Sequence, residues 1–170
     1  MELFVNGIKL ERVTHFNYLG RRVEQNDNDS NCIMTNIKKA RKQWASIAKL
    51  LKREGANAVT MARFYITVVQ SILLYGAESW TPKQTDMSKL RSFHHRAVRY
   101  MTGIHIVKKE EEWIIPDHEV LLKKCRLLEI EHYLEARRYT LKGYMERTHP
   151  TFFDDISDIS PPAKNNKKIL

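Results

Sequence analysis

At 170 residues, 42% of them hydrophobic, the chain can bury one or two small cores but not the core of a large enzyme, and its formal charge of +9 calls for an anionic partner. Two cysteines, Cys32 and Cys125, exclude a disulfide scaffold and a four-cysteine zinc site and fit a reducing intracellular compartment, nuclear or cytoplasmic. The N-terminus lacks the pattern of a signal peptide, and the apolar run 61–75 is broken by Arg63, Gln70 and Ser71 and is too short to span a bilayer, so no membrane is expected.

The first element expected is a β-hairpin. In "LFVNGIKLE", Asn6-Gly7 stands between two short apolar runs, a strong signal for a tight turn. "VTHFNYLGRRV" continues as strand up to Gly20, where a bulge or a close backbone approach is expected, and "EQNDNDSN" is a polar loop. From Ser30 the period changes. Ile33, Ile37, Ala40, Trp44, Ile47 and Leu51 share one helical face, while Lys38, Lys42, Lys49 and Lys52 fall on roughly the opposite one. Residues 36–54 carry seven basic side chains against Glu54 alone.

A second helix, from Asn57, is apolar nearly all round and is expected to be central and buried. Thr81, Pro82 and Gln84 then read as a capping box, with Thr81 at the N-cap. The third helix runs to about Thr102, with Met87, Leu90, Ala97 and Met101 inward and Gly103 as its stop. Lys89, Arg96 and Arg99 lie on another of its faces, and residues 83–109 again hold seven basic side chains, against Asp86 alone. A fourth helical region follows Pro116, in one or two pieces. The fold expected is mainly α: an N-terminal β-hairpin, a bundle of three helices and a long C-terminal helical segment. The divisions fall at 1–27, 28–105, 106–149 and a disordered tail at 150–170.

Lysine-rich helical faces suit the backbone of a nucleic acid, because phosphate contacts position a duplex without reading its sequence. Lys38, Lys42, Lys49, Lys89, Arg96 and Arg99 are the candidate contacts. Tyr18, beside a turn glycine, is placed to stack on a base, whereas Trp44 belongs to the apolar stripe. His94-His95 does not suggest a metal, since adjacent helical residues diverge by about 100°. His118, His132 and Cys125 lack a fourth ligand. Cys125, among Lys123, Lys124 and Arg126, is either a thiol of lowered pKa or a small residue at a helix contact. No catalytic and no metal-binding residue is assigned.

Three segments in order, "FNYLGRRVEQND", "SILLYGAESWTPKQTDMSKLRSFHHRAVRYMTGI" and "EVLLKKCRLLEIEHYLEARRYTLKGYMER", resemble the C-terminal part of the reverse transcriptase of non-LTR (LINE-like) retrotransposons. The resemblance covers most of the chain, from about residue 13 to 147. It implies that the hairpin with Phe16, Tyr18, Leu19 and Gly20 is a primer grip, and that the helices after it are a thumb lying along an RNA–DNA or duplex template–primer. The chain departs from the family at Leu127-Leu128-Glu129-Ile130, where a proline pair is usual, and at Gly143-Tyr144, where Gly-His is usual. The Asp-Asp motif that holds Mg²⁺ lies on the palm, upstream of the "YLG" segment. The chain alone is therefore expected not to polymerise DNA and to hold no cofactor, with Mg²⁺ entering only with the palm. Asp154-Asp155 lacks the strand context of that motif. The alternative from another class is a helical protein-interaction or remnant domain, pairing through Leu127, Ile130, Leu134, Leu141 and Met145.

Overall fold

The structure, a computed structural model, describes residues 3–18, 20–24, 29–110 and 112–148. It is mainly helical, with antiparallel β-hairpin structure at the N-terminal end and helices after it.

The N-terminal part forms two separate hairpins where one was expected. Strands β1 (Phe4–Val5) and β2 (Ile8–Lys9) pair Val5 with Ile8 across Asn6 and Gly7, whose φ angles of 51° and 78° make the tight left-handed turn that Asn-Gly favours. Strands β3 (His15–Tyr18) and β4 (Arg21–Glu24) pair Tyr18 with Arg21, and Gly20, at φ 78°, turns the chain between them. Each run is so short that its own turn closes it into a two-stranded unit.

Helix α1 (Ser30–Arg53) buries Ile33, Ile37, Ala40, Trp44, Ala48 and Leu51 and ends at Gly55, where the Ala56 N–H reaches back to the Leu51 carbonyl at 2.9 Å. The central helix follows. It starts as α2 (Ala58–Phe64), capped by the Asn57 side chain, widens into π-helical turns over Tyr65–Gln70 and closes with α3 (Ser71–Leu73). Tyr65, Val69, Leu73 and Leu74 are fully buried. The helix is not buried all round, however. Arg63, Thr67 and Ser71 recur every four residues along a solvent stripe, and Phe64, Ile66 and Tyr75 lie exposed beside it.

Helix α4 (Gln84–Thr102) stops at Gly103, at φ 69°, as its sequence indicates. Its start differs from expectation. Lys83 occupies the N-cap position, and the Thr81 N–H and hydroxyl turn instead to Asp29 Oδ2, at 2.9 and 3.4 Å. A distant carboxylate thus outcompetes the local capping box. Ser30 donates to Asp86 at 2.6 Å where α1 and α4 begin, and Trp44 meets Tyr100 edge-on at 6.0 Å further along, so the two helices run parallel. The central helix runs antiparallel to them: the Asn36 amide donates to the Tyr75 carbonyl at 3.1 Å, and Trp44 packs on Tyr65 at 5.5 Å.

Residues 106–149, expected to be helical, open with a further hairpin, β5 (Val107–Lys109) with β6 (Glu112–Ile114). Helix α5 (His118–Cys125) is capped by Asp117 and ends where Arg126 takes a left-handed φ of 55°. Helix α6 (Ile130–Thr148) then begins, so two helices form without a proline between them. Leu127, Ile130 and Leu134, expected on a face that pairs with another chain, are buried in this chain's own core. Asp154 and Asp155 lie outside the described residues. Among the described residues, no helix is long and apolar enough to cross a membrane.

Truncation of Leu73, which is wholly buried, to alanine is expected to cost 2–5 kcal/mol of unfolding free energy in urea titrations. A cost below about 1 kcal/mol would show that the central helix is not the middle of the core.

Candidate nucleic-acid interface

One groove gathers groups suited to a polyanion. It is lined by Gly20 from the second hairpin, by Asn36, Lys39, Lys42 and Gln43 from α1, and by Ser71, Ile72 and Tyr75 from the end of the central helix, and encloses about 570 Å³. The hairpin is held there from two sides. Asn31 on α1 donates to Glu24 on β4 at 2.8 Å, and a side chain built onto Gly20 would begin 3.6 Å from the ring of Tyr75. The positive φ favours glycine at the turn, and the Tyr75 ring lies at ordinary contact distance beside it. Asn36, itself buried, fixes the other wall by its bond to the Tyr75 carbonyl. Two lysines, two amides, a hydroxyl and an exposed phenol thus face one concavity, where cations meet phosphates and the ring offers a flat surface.

The expected contact residues divide among several places. Gly20 and Lys42 line this groove. Lys38 and Lys49 are exposed on the same helix but outside it. Phe16 and Tyr18 sit two residues apart on β3, 52% and 63% exposed, so both present their rings to solvent from one face of the hairpin.

The α4 residues are elsewhere, and one of them, Lys89, is engaged. Lys89 Nζ lies 3.4 Å from the Asp86 carboxylate, which is 1% exposed. Burial works to raise the Asp86 carboxyl, but hydrogen bonds from Ser30 and Lys89, the Lys89 charge and the Lys83 backbone together hold it below its ordinary value. Lys89 therefore serves partly as the counter-charge of a buried acid. Arg99 is half-buried, and burial, then the neighbouring Arg96, lowers its pKa; Arg96 is exposed. Lys39, Asn36, Gln43, Ser71 and Tyr75 were not singled out from sequence.

His94, His95 and His118 are tied into the packing, whereas His132 is exposed. His94 is fully buried and bonds the Tyr65 hydroxyl at 2.9 Å and the Leu128 carbonyl at 3.0 Å. Burial pushes its pKa down to about 4 and pushes the Tyr65 hydroxyl well above its ordinary value. His95 meets Glu129 at 2.9 Å, and its ring stacks on that of His118 at 3.9 Å. Burial, then His95 and Arg99, holds His118 below its usual range. Cys125 is buried at a helix contact, and burial raises its thiol to about 11, which excludes the reactive reading.

Among the described residues, no group of three or more His, Cys, Asp or Glu side chains could hold a metal ion. The chain matches no family model, no curated protein and no solved structure.

Because His94 titrates near 4 in the fold and near 6.5 when exposed, the unfolded chain binds more protons between those values, and stability falls as pH falls through that window. His118 acts in the same sense. Urea unfolding is expected to show a loss on the order of 2 kcal/mol from pH 7 to pH 5. Stability that is flat or rising over that interval would refute the buried neutral imidazole.

Proposed function

We propose that this chain is the nucleic-acid-holding portion of a non-LTR retrotransposon reverse transcriptase, comprising the end of the palm and the thumb. The observation that carries the reading is the meeting of Gly20 and Tyr75. These residues belong to "YLG" and "LLYG", two segments whose order and spacing together carry the resemblance, and they stand against each other beside Lys39 and Lys42. In this reading the lysines of α1 contact the phosphates of the template–primer, an RNA–DNA hybrid or duplex, without sequence selectivity. Phe16 and Tyr18 project from the hairpin toward the primer's 3′ end. The metal-holding carboxylates belong to the palm segment that bears the Asp-Asp motif, so this chain positions nucleic acid and does not itself join nucleotides.

Fluorescence anisotropy with labelled hybrid, duplex DNA and heparin competitor tests this. The hybrid or duplex should bind with an affinity that falls steeply with salt. The double variant Lys39→Glu, Lys42→Glu should weaken binding by at least about tenfold and lower the salt slope by about two. The same reversal at Lys89 should matter less, because that lysine is tied to Asp86. Heparin competing as well as the hybrid, or the double variant binding like the parent, would sink the proposal and favour a protein-interaction role.

A further inference from the structure

The central helix has one open side. Its solvent stripe of Arg63, Thr67 and Ser71 ends beside Ile72 and Tyr75 in the groove, and Phe64, 45% exposed, lies further along. Cations flank this side without acids to meet. Lys39 and Lys42 line the groove, and Lys49, seven residues beyond Lys42, shares its face of α1. These three lysines and Arg63 are exposed, and none pairs with a carboxylate among the described residues. Four like charges beside an apolar strip suit an occupant that is both acidic and apolar.

The chain itself carries such a segment. Residues 151–160, "TFFDDISDIS", interleave Phe152, Phe153, Ile156 and Ile159 with Asp154, Asp155 and Asp158 and hold no basic side chain. The segment lies outside the described residues, and the last of these, Thr148, stands close to the open side. Helix α6 is held to the Ala77–Ser79 turn by Arg137 and Glu78, 3.3 Å apart, and its last turns pass Gln70, with which Tyr144 lines a cleft. Gln70 adjoins Ser71, so the groove lies on a neighbouring side of the same helix, about one helix diameter or ~10 Å away. Phe152 follows Thr148 by four residues, enough to span about 13 Å when extended. The aspartates come directly after.

We propose that residues 151–160 dock in the groove between α1 and the central helix, the phenyl rings against Ile72 and Tyr75 and the aspartates toward Lys39 and Lys42. Carboxylates then stand where phosphates would, and phenyl rings where bases would, so the segment competes with nucleic acid for the groove. The tether is short, which sets an effective concentration on the order of millimolar. A contact too weak to form between separate molecules is therefore populated within one chain. The competition rests on the nucleic-acid reading above, whereas the docking stands without it.

A nitroxide attached through Ser157→Cys in the full chain reads the docking without any nucleic acid, since Cys32 and Cys125 are both buried. Amide signals of residues 39–43 and 71–75 should broaden, and those of α5 should not. Phe152→Ser with Phe153→Ser, which leaves the charge unchanged, should abolish the broadening, as should Lys39→Glu with Lys42→Glu. In hybrid titrations at low salt, the phenylalanine double variant should bind at least about threefold more tightly than the parent, the gain from releasing a segment docked about two-thirds of the time. Broadening that is absent, evenly spread or unaffected by the phenylalanine double variant would overturn the docking. So would its transfer to an isotope-labelled chain without nitroxide in a mixture, which would assign the groove to a second copy. Broadening at the groove with equal hybrid affinity for parent and variant would overturn the competition. Broadening without any hybrid binding would uphold the docking and sink the nucleic-acid reading.

Discussion

The hydrogen bond from the Tyr65 hydroxyl to His94, 2.9 Å long in a fully buried setting, ties the central helix to α4, and the other nitrogen of the same ring reaches the Leu128 carbonyl at 3.0 Å. A carbonyl only accepts, so Nε2 carries the proton and Nδ1 takes the bond from Tyr65. One neutral imidazole thereby joins three stretches of chain through the middle of the core. Around it Trp44 and Phe93 pack on Tyr65, and Tyr133 lies edge-on to His94. A buried polar pair of this kind is tolerated only when every group is satisfied, and it then specifies one arrangement of the helices over its neighbours.

That arrangement leaves the central helix covered by α1 and α4 but open along its Arg63, Thr67, Ser71 stripe. The opening shapes the groove. With α1 parallel to α4 and antiparallel to the central helix, Lys39 and Lys42 come alongside Ser71 and Tyr75, and β4 is drawn against α1 so that the Gly20 turn closes one end of the groove. The buried Asn36 holds the corner by donating to the Tyr75 carbonyl just past the end of the central helix. Core geometry and the proposed phosphate track are thus set by the same helix contacts, and a change in the packing of Trp44 or Tyr65 would be felt at the lysines above them.

The features that follow from local pattern were legible before the structure. The Asn6-Gly7 turn, the Ile33 to Leu51 stripe, the inward position of Trp44 and the stop at Gly103 all rest on turn chemistry or on the 3.6-residue period. What escaped depends on tertiary partners or on geometry without a sequence mark. Thr81 gave up its capping role because Asp29 comes to it from outside the helix. The π turns carry no residue signature, and they bring Gln70 inward while Phe64 and Ile66 stay out, against the expectation of a helix buried on every side. The hairpin around Glu110 lacks a glycine, and Glu110 itself takes the left-handed φ of 55°, so a charged run concealed a turn. At the interface, basic residues were counted as alike, whereas Lys89 lies 3.4 Å from the buried Asp86 and Arg99 is half-buried.

The central claim is that nucleic acid lies in the groove between α1, the Gly20 turn and Tyr75, and amide chemical-shift mapping of the isotope-labelled chain with an RNA–DNA hybrid tests it most directly. The largest shifts should cluster at Gly20, at residues 36–43 and at residues 71–75, with smaller changes at Phe16 and Tyr18 and little at Lys89. Shifts confined to α4 and α5, or spread evenly over every exposed lysine and arginine, would contradict the account and reduce the groove to a feature of packing.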